Sequence, residues 1–227
     1  TADSPVDRRD AALLLDFLTP IVKSYPSKYG CASNDLAIQV LGGAGYVRDY
    51  PVEQLYRDQR LNPIHEGTEG IHGLDLLGRK VLLNNGESYQ MFLAKVGKTV
   101  ADAENLPQIA HLAPPVRAAI ERTNRVTESL LPRVVEDPDS GLANATIYLD
   151  MFGQVVMAWI WLRQAVVAAR TLSTSDVCPN EPEHDFYQGK VSAAQYFIRR
   201  ELPQTVQKAA LLEVNESTCF DMPAAYF

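Results

Sequence analysis

Residues 35–81, DLAIQVLGGAGYVRDYPVEQLYRDQRLNPIHEGTEGIHGLDLLGRKV, decide the fold of this chain. The apolar run Leu36–Leu41 is typical of a helix, and the glycine-rich segment 42–46 that follows predicts a loop, because glycine releases the backbone from helical geometry. Pro51 can open a short helix that continues through Arg60. Thr68 is a suitable N-cap for the next helix. The stretch therefore predicts short helices joined by tight turns.

The sequence on both sides of this stretch also keeps helical spacing. Downstream of residue 68, Ile71, Leu74, Leu77 and Val81 recur at three- to four-residue steps as far as Asn84-Asn85-Gly86. Further helices are predicted at Ser88–Glu104, Pro115–Val135, Ala145–Arg170 and Asp185–Glu213, with a surface connection at Glu136–Gly141. No segment shows strand alternation. We predict an all-α fold with a helical bundle at 1–86 and a second helical bundle, an extension, at 87–227.

The N-terminal helix has a clear start and two predicted interruptions. Ser4 can cap it, with Pro5 at the first helical position and Asp7 in the first turn. Pro20 and Pro26 predict a kink or a restart, because proline lacks the amide donor and clashes with the preceding turn. The predicted apolar face consists of Ala11, Leu14, Leu15, Leu18 and Val22.

Composition and charge exclude several classes of function. The 227 residues carry a formal net charge of −7, which argues against a broad nucleic-acid surface. The three cysteines, Cys31, Cys178 and Cys219, are far apart and indicate neither a disulfide framework nor a metal site. The apolar run Val155–Leu162 is far shorter than the ~20 residues that span a bilayer, so a buried core helix is predicted and no membrane span. His72 and His111 are interpreted as ordinary histidines, and no metal site is predicted.

Each of the two motifs within residues 35–81, taken alone, has a common structural explanation. A glutamate such as Glu66, just before a helix N-terminus, is usually a solvated acid that the helix dipole favours. The glycines of segment 42–45 would end a helix even in a chain that binds no cofactor. The meaning of both motifs therefore depends on their combination.

That combination resembles the C-terminal helical domain of acyl-CoA dehydrogenases. Three segments carry the resemblance in this order: QxxGGxGY at 39–46, YPVEQLYRD at 50–58 and EGT at 66–68. The similarity spans about the first 85 residues. The remainder resembles a helical extension of larger bacterial members, including methylthiopropionyl-CoA dehydrogenase-like enzymes.

The resemblance implies that Glu66 is the catalytic base of an α,β-dehydrogenation. The carboxylate takes the α-proton of an acyl-CoA thioester, while the β-hydrogen leaves as hydride to a flavin. The backbone amide of Glu66 holds the thioester oxygen, and Gly67 gives the backbone the freedom for that close approach. His65 stands where a tyrosine is common, and it either lines the acyl pocket or tunes Glu66 through a hydrogen bond.

The resemblance also implies an FAD site. Gln39, Gly42 and Gly43 match the segment that contacts the adenosine end of FAD, commonly across a subunit boundary. Thr68 matches a residue beside the ribityl and phosphate region. The polar residue that many relatives carry two positions later is absent, because Gly70 stands there.

The implied protein is a flavoprotein oxidoreductase of fatty acid metabolism in the bacterial cytoplasm. Its expected partners are an acyl-CoA substrate, electron-transfer flavoprotein as electron acceptor and a second copy in a homodimer. The family's N-terminal helical and central β-domains are absent from these 227 residues, so we expect the isolated chain to be inactive. Two alternatives remain: an acyl-CoA oxidase-like enzyme, and a non-catalytic helical assembly module that keeps the motif as scaffold.

Overall fold

The computed structural model describes residues 4–174, 179 and 181–226, and these residues form helices joined by short turns. No β-strand occurs within these ranges. The predicted all-α class is therefore confirmed. Cys178, which entered the cysteine argument, lies outside the described residues.

The first helix, α1 (Pro5–Leu41), starts where the sequence predicts. The Ser4 hydroxyl oxygen accepts from the amide of Asp7 at 3.1 Å. The predicted restart at Pro20 and Pro26 is wrong, because both prolines lie inside one continuous helix. Buried side chains flank the two prolines, and their packing outweighs the local cost of about 3 kcal/mol per internal proline. These side chains are Phe17, Ile21 and Tyr25.

The predicted apolar face of α1 is shifted around the helix. Leu15 is 70% exposed and Val22 is 60% exposed, although both were assigned to the buried face. Leu14 and Leu18 only border the core. The buried face is instead the one that carries Phe17, because aromatic rings bury more area than the leucines and set the rotation of the helix.

The glycine-rich segment is more helical than predicted. Gly42 ends α1 at φ 58°, and a four-residue helix, α2 (Gly43–Tyr46), follows it where a loop was predicted. Gly45 packs so closely on α1 that an added Cβ would lie 2.6 Å from the carbonyl oxygen of Ile38. The short helix α3 (Val52–Arg60) follows Pro51 and confirms the predicted element.

The next helices surround the break predicted at Asn84-Asn85-Gly86. Helix α4 (Glu69–Asp75) continues into a π-helical turn, Leu76–Lys80. Helix α5 (Leu83–Glu104) contains left-handed residues at 84, 85 and 86, with φ values of 51°, 56° and 78°, so the chain changes direction there. Of the predicted apolar face, Leu77 and Val81 are buried, whereas Ile71 is 58% exposed and Leu74 is 45% exposed.

The second half of the chain consists of helices and short 3-10 turns. The elements are a 3-10 turn Ala110–Leu112, α6 (Ala113–Glu136), α7 (Pro138–Leu142), α8 (Ala145–Leu172), α9 (Pro182–Arg200), a 3-10 turn Leu202–Gln204, α10 (Thr205–Val214), α11 (Thr218–Asp221) and a 3-10 turn Ala224–Tyr226.

Two predictions for this half are wrong. The segment 136–141, predicted as a connection, contains α7, whose N-terminus is capped by Asp137. The single helix predicted at Asp185–Glu213 is divided into α9 and α10, because Pro203 cannot continue a helix.

One aromatic cluster connects the two halves. The ring of Phe17 on α1 lies 5.7 Å from the rings of Phe92 on α5 and Phe152 on α8. The two halves therefore share core contacts, and the division into 1–86 and 87–227 stays a prediction. Helix α8 is long and apolar enough to cross a membrane by length and composition, but 67% of its most apolar window is buried inside this fold.

Candidate functional site

The glycine segment at 39–46 and the EGT segment at 66–68 lie at opposite ends of α3. Helix α3 runs antiparallel to α1. The Asn34 side-chain amide donates to the carbonyl oxygen of Leu55 at 3.2 Å, and the Gln59 amide donates to the carbonyl oxygen of Ser27 at 3.4 Å. Nine residues of α3 correspond to about 13 Å along the helix axis. The fold therefore separates the glycine segment from the Glu66 turn and does not bring them into one cavity of this chain.

The predicted adenosine-contact residues form an exposed corner. The backbone oxygen of Gln39 accepts a hydrogen bond from the amide of Gly42 at 3.2 Å, and the side chain of Gln39 is exposed. An added Cβ on Gly42 or Gly43 would meet no atom within 4 Å. This corner leaves backbone open to a large ligand, which is the property that an FAD contact at Gln39, Gly42 and Gly43 requires.

Glu66 occupies an unusual backbone conformation just before α4. Its φ is 57°, and the next residue, Gly67, has φ 98°. A non-glycine residue in the left-handed region is uncommon and costs of the order of 1–3 kcal/mol, and such residues cluster at functional sites. The side chain of Glu66 is exposed. Within the described part of the chain, its carboxylate forms no ion pair and its amide donates to no acceptor.

The position of His72 explains why a glycine stands at position 67. An added Cβ would be 2.8 Å from Nε2 of His72, which faces the turn from α4. That nitrogen is buried and has no hydrogen-bond partner among the described residues. A small cavity of about 210 Å³ lies here, bordered by Arg60 and Glu69 among others. His72 was interpreted as an ordinary histidine, and only the three-dimensional structure places it against the Glu66–Gly67 turn.

The two neighbours of the Glu66–Gly67 pair are both exposed. Nδ1 of His65 lies 3.1 Å from the carbonyl oxygen of Leu61, and no hydrogen bond to Glu66 occurs among the described contacts. Thr68 occupies the N-cap position of α4 as predicted, with φ −83° and ψ 169°, although its hydroxyl makes no capping hydrogen bond. The roles of His65 and Thr68 towards substrate and FAD stay predictions.

An ion-pair network that the sequence analysis missed anchors α4 from behind. Nζ of Lys28 lies 3.0 Å from a carboxylate oxygen of Glu69 and 3.2 Å from Oδ1 of Asp150. Nζ of Lys208 lies 2.8 Å from Oδ2 of Asp150. Burial alone would raise the pKa of Asp150, but the hydrogen bonds and charges of the two lysines outweigh it and hold that pKa below its usual range. The network connects α1, α4, α8 and α10, which no local sequence pattern relates.

No group of three or more His, Cys, Asp or Glu side chains in the described ranges is placed to hold a metal. The open backbone at Gly42 and Gly43 leaves space for a bulky molecule at the corner. The turn at Glu66 leaves the carboxylate exposed.

Family comparison agrees with this arrangement. Residues 5–82 match the family described as "Acyl-CoA dehydrogenase, C-terminal domain", and residues 92–223 match the one described as "Acetyl-CoA dehydrogenase C-terminal like". Because the second match alone covers more than half of the chain, the protein belongs to the acyl-CoA dehydrogenase family.

Individual relatives are longer than this chain. It is 26% identical over 229 residues to the broad-specificity linear acyl-CoA dehydrogenase FadE5 of Mycobacterium tuberculosis, covering 98% of this chain and 37% of FadE5. It is 29% identical over 199 residues to 3-methylmercaptopropionyl-CoA dehydrogenase of Ruegeria pomeroyi, covering 86% and 32%. Over 74 residues, 30% of this chain and 18% of the relative, it is 40% identical to human short-chain specific acyl-CoA dehydrogenase. The chain thus spans about a third of the length of the first two relatives.

Proposed function

We propose that this chain supplies the catalytic base and part of the flavin site of an FAD-dependent acyl-CoA dehydrogenase. The observation that carries the proposal is the turn at Glu66. It presents an exposed carboxylate and a backbone amide, both without partners among the described residues, in a left-handed conformation. A solvated helix-capping acid needs no such conformation, whereas an active-site residue commonly adopts one.

The turn contains the two groups that α-proton abstraction from a thioester requires. In this proposal the Glu66 carboxylate removes the α-proton, and the Glu66 amide donates a hydrogen bond to the thioester oxygen, where negative charge develops. Gly67 must remain without a side chain, because His72 lies beneath it. Bound FAD would accept the β-hydrogen as hydride. Gln39, Gly42, Gly43 and Thr68 are the residues of this chain proposed to hold FAD.

The surface around the glycine corner supports an additional subunit or domain there. Val40 is 86% exposed, Tyr46 is 84% exposed and Leu36 is 64% exposed, which forms an apolar patch of the kind that an interface covers. We propose that a second copy in a homodimer or the remaining part of the protein covers this patch. We also propose electron-transfer flavoprotein as acceptor and a cytoplasmic location, which the free thiols of Cys31 and Cys219 favour.

The test joins this chain to the upstream portion of 3-methylmercaptopropionyl-CoA dehydrogenase, with Glu66→Gln as the variant. The fusion should bind FAD, and acyl-CoA should bleach the flavin absorbance. Glu66→Gln should retain FAD but lose about 10²–10⁴-fold in the rate of flavin reduction, because only the basic oxygen is removed. Near wild-type reduction by the variant would refute the assignment of Glu66. Rapid oxygen consumption by the reduced fusion would instead indicate the oxidase-like alternative.

A further inference from the structure

A second concave site lies between α5, α8 and α9, and Leu14 of α1 also lines it. It is a groove of about 800 Å³, which we call the cationic groove. Apolar side chains line its inner part, with Trp159 only 3% exposed and Val166 only 5% exposed. Val167 and Phe186 also line it and are more than half exposed. Its volume is within the range of small-molecule sites.

Cations from three different helices converge on this groove. They are Lys95 and Lys98 from α5, Arg163 from α8 and Lys190 from α9. In the described part of the chain, none of these four has an acidic partner within ion-pair distance; the fifth cation, Arg170, is paired with Asp102 at 3.1 Å. The chain as a whole has a net charge of −7, so this concentration of positive charge is local. A solvated helix face would not collect cations from three helices around an apolar lining.

Aromatic rings rather than acids hold two of these cations. The Arg163 guanidinium lies 5.1 Å from the centre of the Trp159 ring, and the Lys190 ammonium lies 5.2 Å from the Phe186 ring and 5.8 Å from the Trp161 ring. The Trp159 indole N–H donates to the Thr99 hydroxyl at 2.9 Å, which fixes the ring. A cation on an aromatic face is positioned but not neutralised, so its charge stays available to an anion.

We propose that the cationic groove binds a small amphipathic carboxylate, with the carboxylate at the lysines and the apolar body against α8. A simple inorganic anion would use the cations but leave Val167 and Phe186 in water. A neutral apolar molecule would bury that surface but leave four charges unpaired. An amphipathic carboxylate satisfies both features, and charge-assisted hydrogen bonds to Lys95 and Lys98 give its orientation. This proposal is independent of the function assigned to Glu66.

Intrinsic fluorescence tests the proposal on the 227-residue chain itself, because its two tryptophans are Trp159 and Trp161. Dodecanoate, below its critical micelle concentration, should change the emission saturably. Inorganic phosphate and the neutral amphiphile dodecyl maltoside should bind at least about tenfold more weakly, the factor that the loss of one charge-assisted or apolar contribution produces. Equal binding of either control probe would overturn the proposal.

Charge-reversal variants then locate the site. Lys95→Glu/Lys98→Glu changes neither tryptophan and should weaken dodecanoate binding at least about tenfold. The matched control is Arg125→Glu/Arg133→Glu, the same charge change on the exposed side of α6, which should stay within about threefold because distant surface charges are screened. Circular dichroism checks that both variants fold.

Two further outcomes would contradict the assignment. Equal weakening by both double variants would show a general charge effect instead of a site. Dissociation of a self-associated form by dodecanoate, measured by size-exclusion chromatography, would show that a second copy of the chain occupies the groove.

Discussion

Asp150 on α8 joins Lys28 on α1 to Lys208 on α10, with nitrogen–oxygen distances of 3.2 Å and 2.8 Å. Lys28 continues the connection to Glu69, three residues after the proposed base. The side chain of Asp150 is only 13% exposed, so water screens these contacts less than those of a surface ion pair. Lys208 on α10 is therefore connected through Asp150 and Lys28 to α4, which begins just after the Glu66 turn.

Replacing the central acid should destabilise the whole fold. We expect Asp150→Asn to lower the free energy of unfolding by about 2 kcal/mol, because it leaves two lysines without their shared counter-ion. Urea denaturation measures this value. Asp35→Asn is the control, since Asp35 is exposed and forms no ion pair in the described contacts; it should change the value by less than about 0.5 kcal/mol. Equal effects of both substitutions would show that the network contributes no stability.

The contribution of Asp150 should depend on pH with a defined sign. Its pKa is lowered in the folded chain, so the unfolded chain takes up the proton first as pH falls. The stabilisation is therefore fully present above the unfolded pKa of about 3.9 and is lost as pH falls through the lower folded value. The difference in unfolding free energy between wild type and Asp150→Asn should be constant near neutral pH and narrow below about pH 4. A difference that widened on acidification would contradict this sign.

The glycine after the proposed base should tolerate no side chain. Gly67→Ala combines a φ of 98° with a Cβ 2.8 Å from His72 Nε2, and we expect it to destabilise the chain by about 1–2 kcal/mol. Gly70→Ala is the matched control, because its Cβ meets no atom within 4 Å and it lies inside α4. The control should be neutral or stabilising by up to about 1 kcal/mol. Thermal unfolding of the two variants separates a specific effect from a general glycine effect.

Local sequence rules predicted the elements better than their packing. The cap at Ser4 and the helix after Pro51 were predicted, because each depends on residues within one turn. The restart predicted at Pro20 and Pro26 was wrong, because residues distant in sequence pack on Phe17 and Ile21 and hold the helix together. The proline rule holds at Pro203, where α9 ends at Arg200, a 3-10 turn follows and α10 begins at Thr205.

The candidate site was also predicted only in part. The EGT motif identified Glu66 and Gly67. The left-handed conformation of Glu66 and the contact between Gly67 and His72 depend on how α4 packs, so the spacing of residues gave no indication of them. Lys28, Asp150 and Lys208 are too far apart in sequence for any periodic signal to relate them.

The isolated chain should purify without stoichiometric FAD. Its proposed flavin contacts at Gln39, Gly42 and Gly43 form an open corner, and Thr68 lies at the other end of α3. Such separated contacts do not compensate the entropy lost when a cofactor is captured. The ratio of visible flavin absorbance to protein absorbance measures this directly. A yellow preparation with one flavin per chain would show that the chain contains a self-sufficient site.

Removal of the extension should expose core rather than a finished surface. Phe17 is 1% exposed and Ile21 is 2% exposed, and the partners that bury this face include Phe92 and Phe152 from the extension. Deleting Ser88–Phe227 should therefore leave α1 with a continuous apolar face and cause aggregation, because uncovering one phenylalanine costs about 1.5–3 kcal/mol.

Light scattering can measure this outcome in the fusion with and without residues 88–227. With the extension present we expect a homodimer, and without it aggregates or larger assemblies, although no proposed substrate contact has been removed. The matched control is Phe17→Asp in the intact fusion, which places a charge on the same face of α1. Like the deletion, this substitution should destabilise the fold. A deletion product that remained a soluble dimer would show that α1 buries Phe17 equally well without the extension, and that the 1–86 region is an independent folding unit.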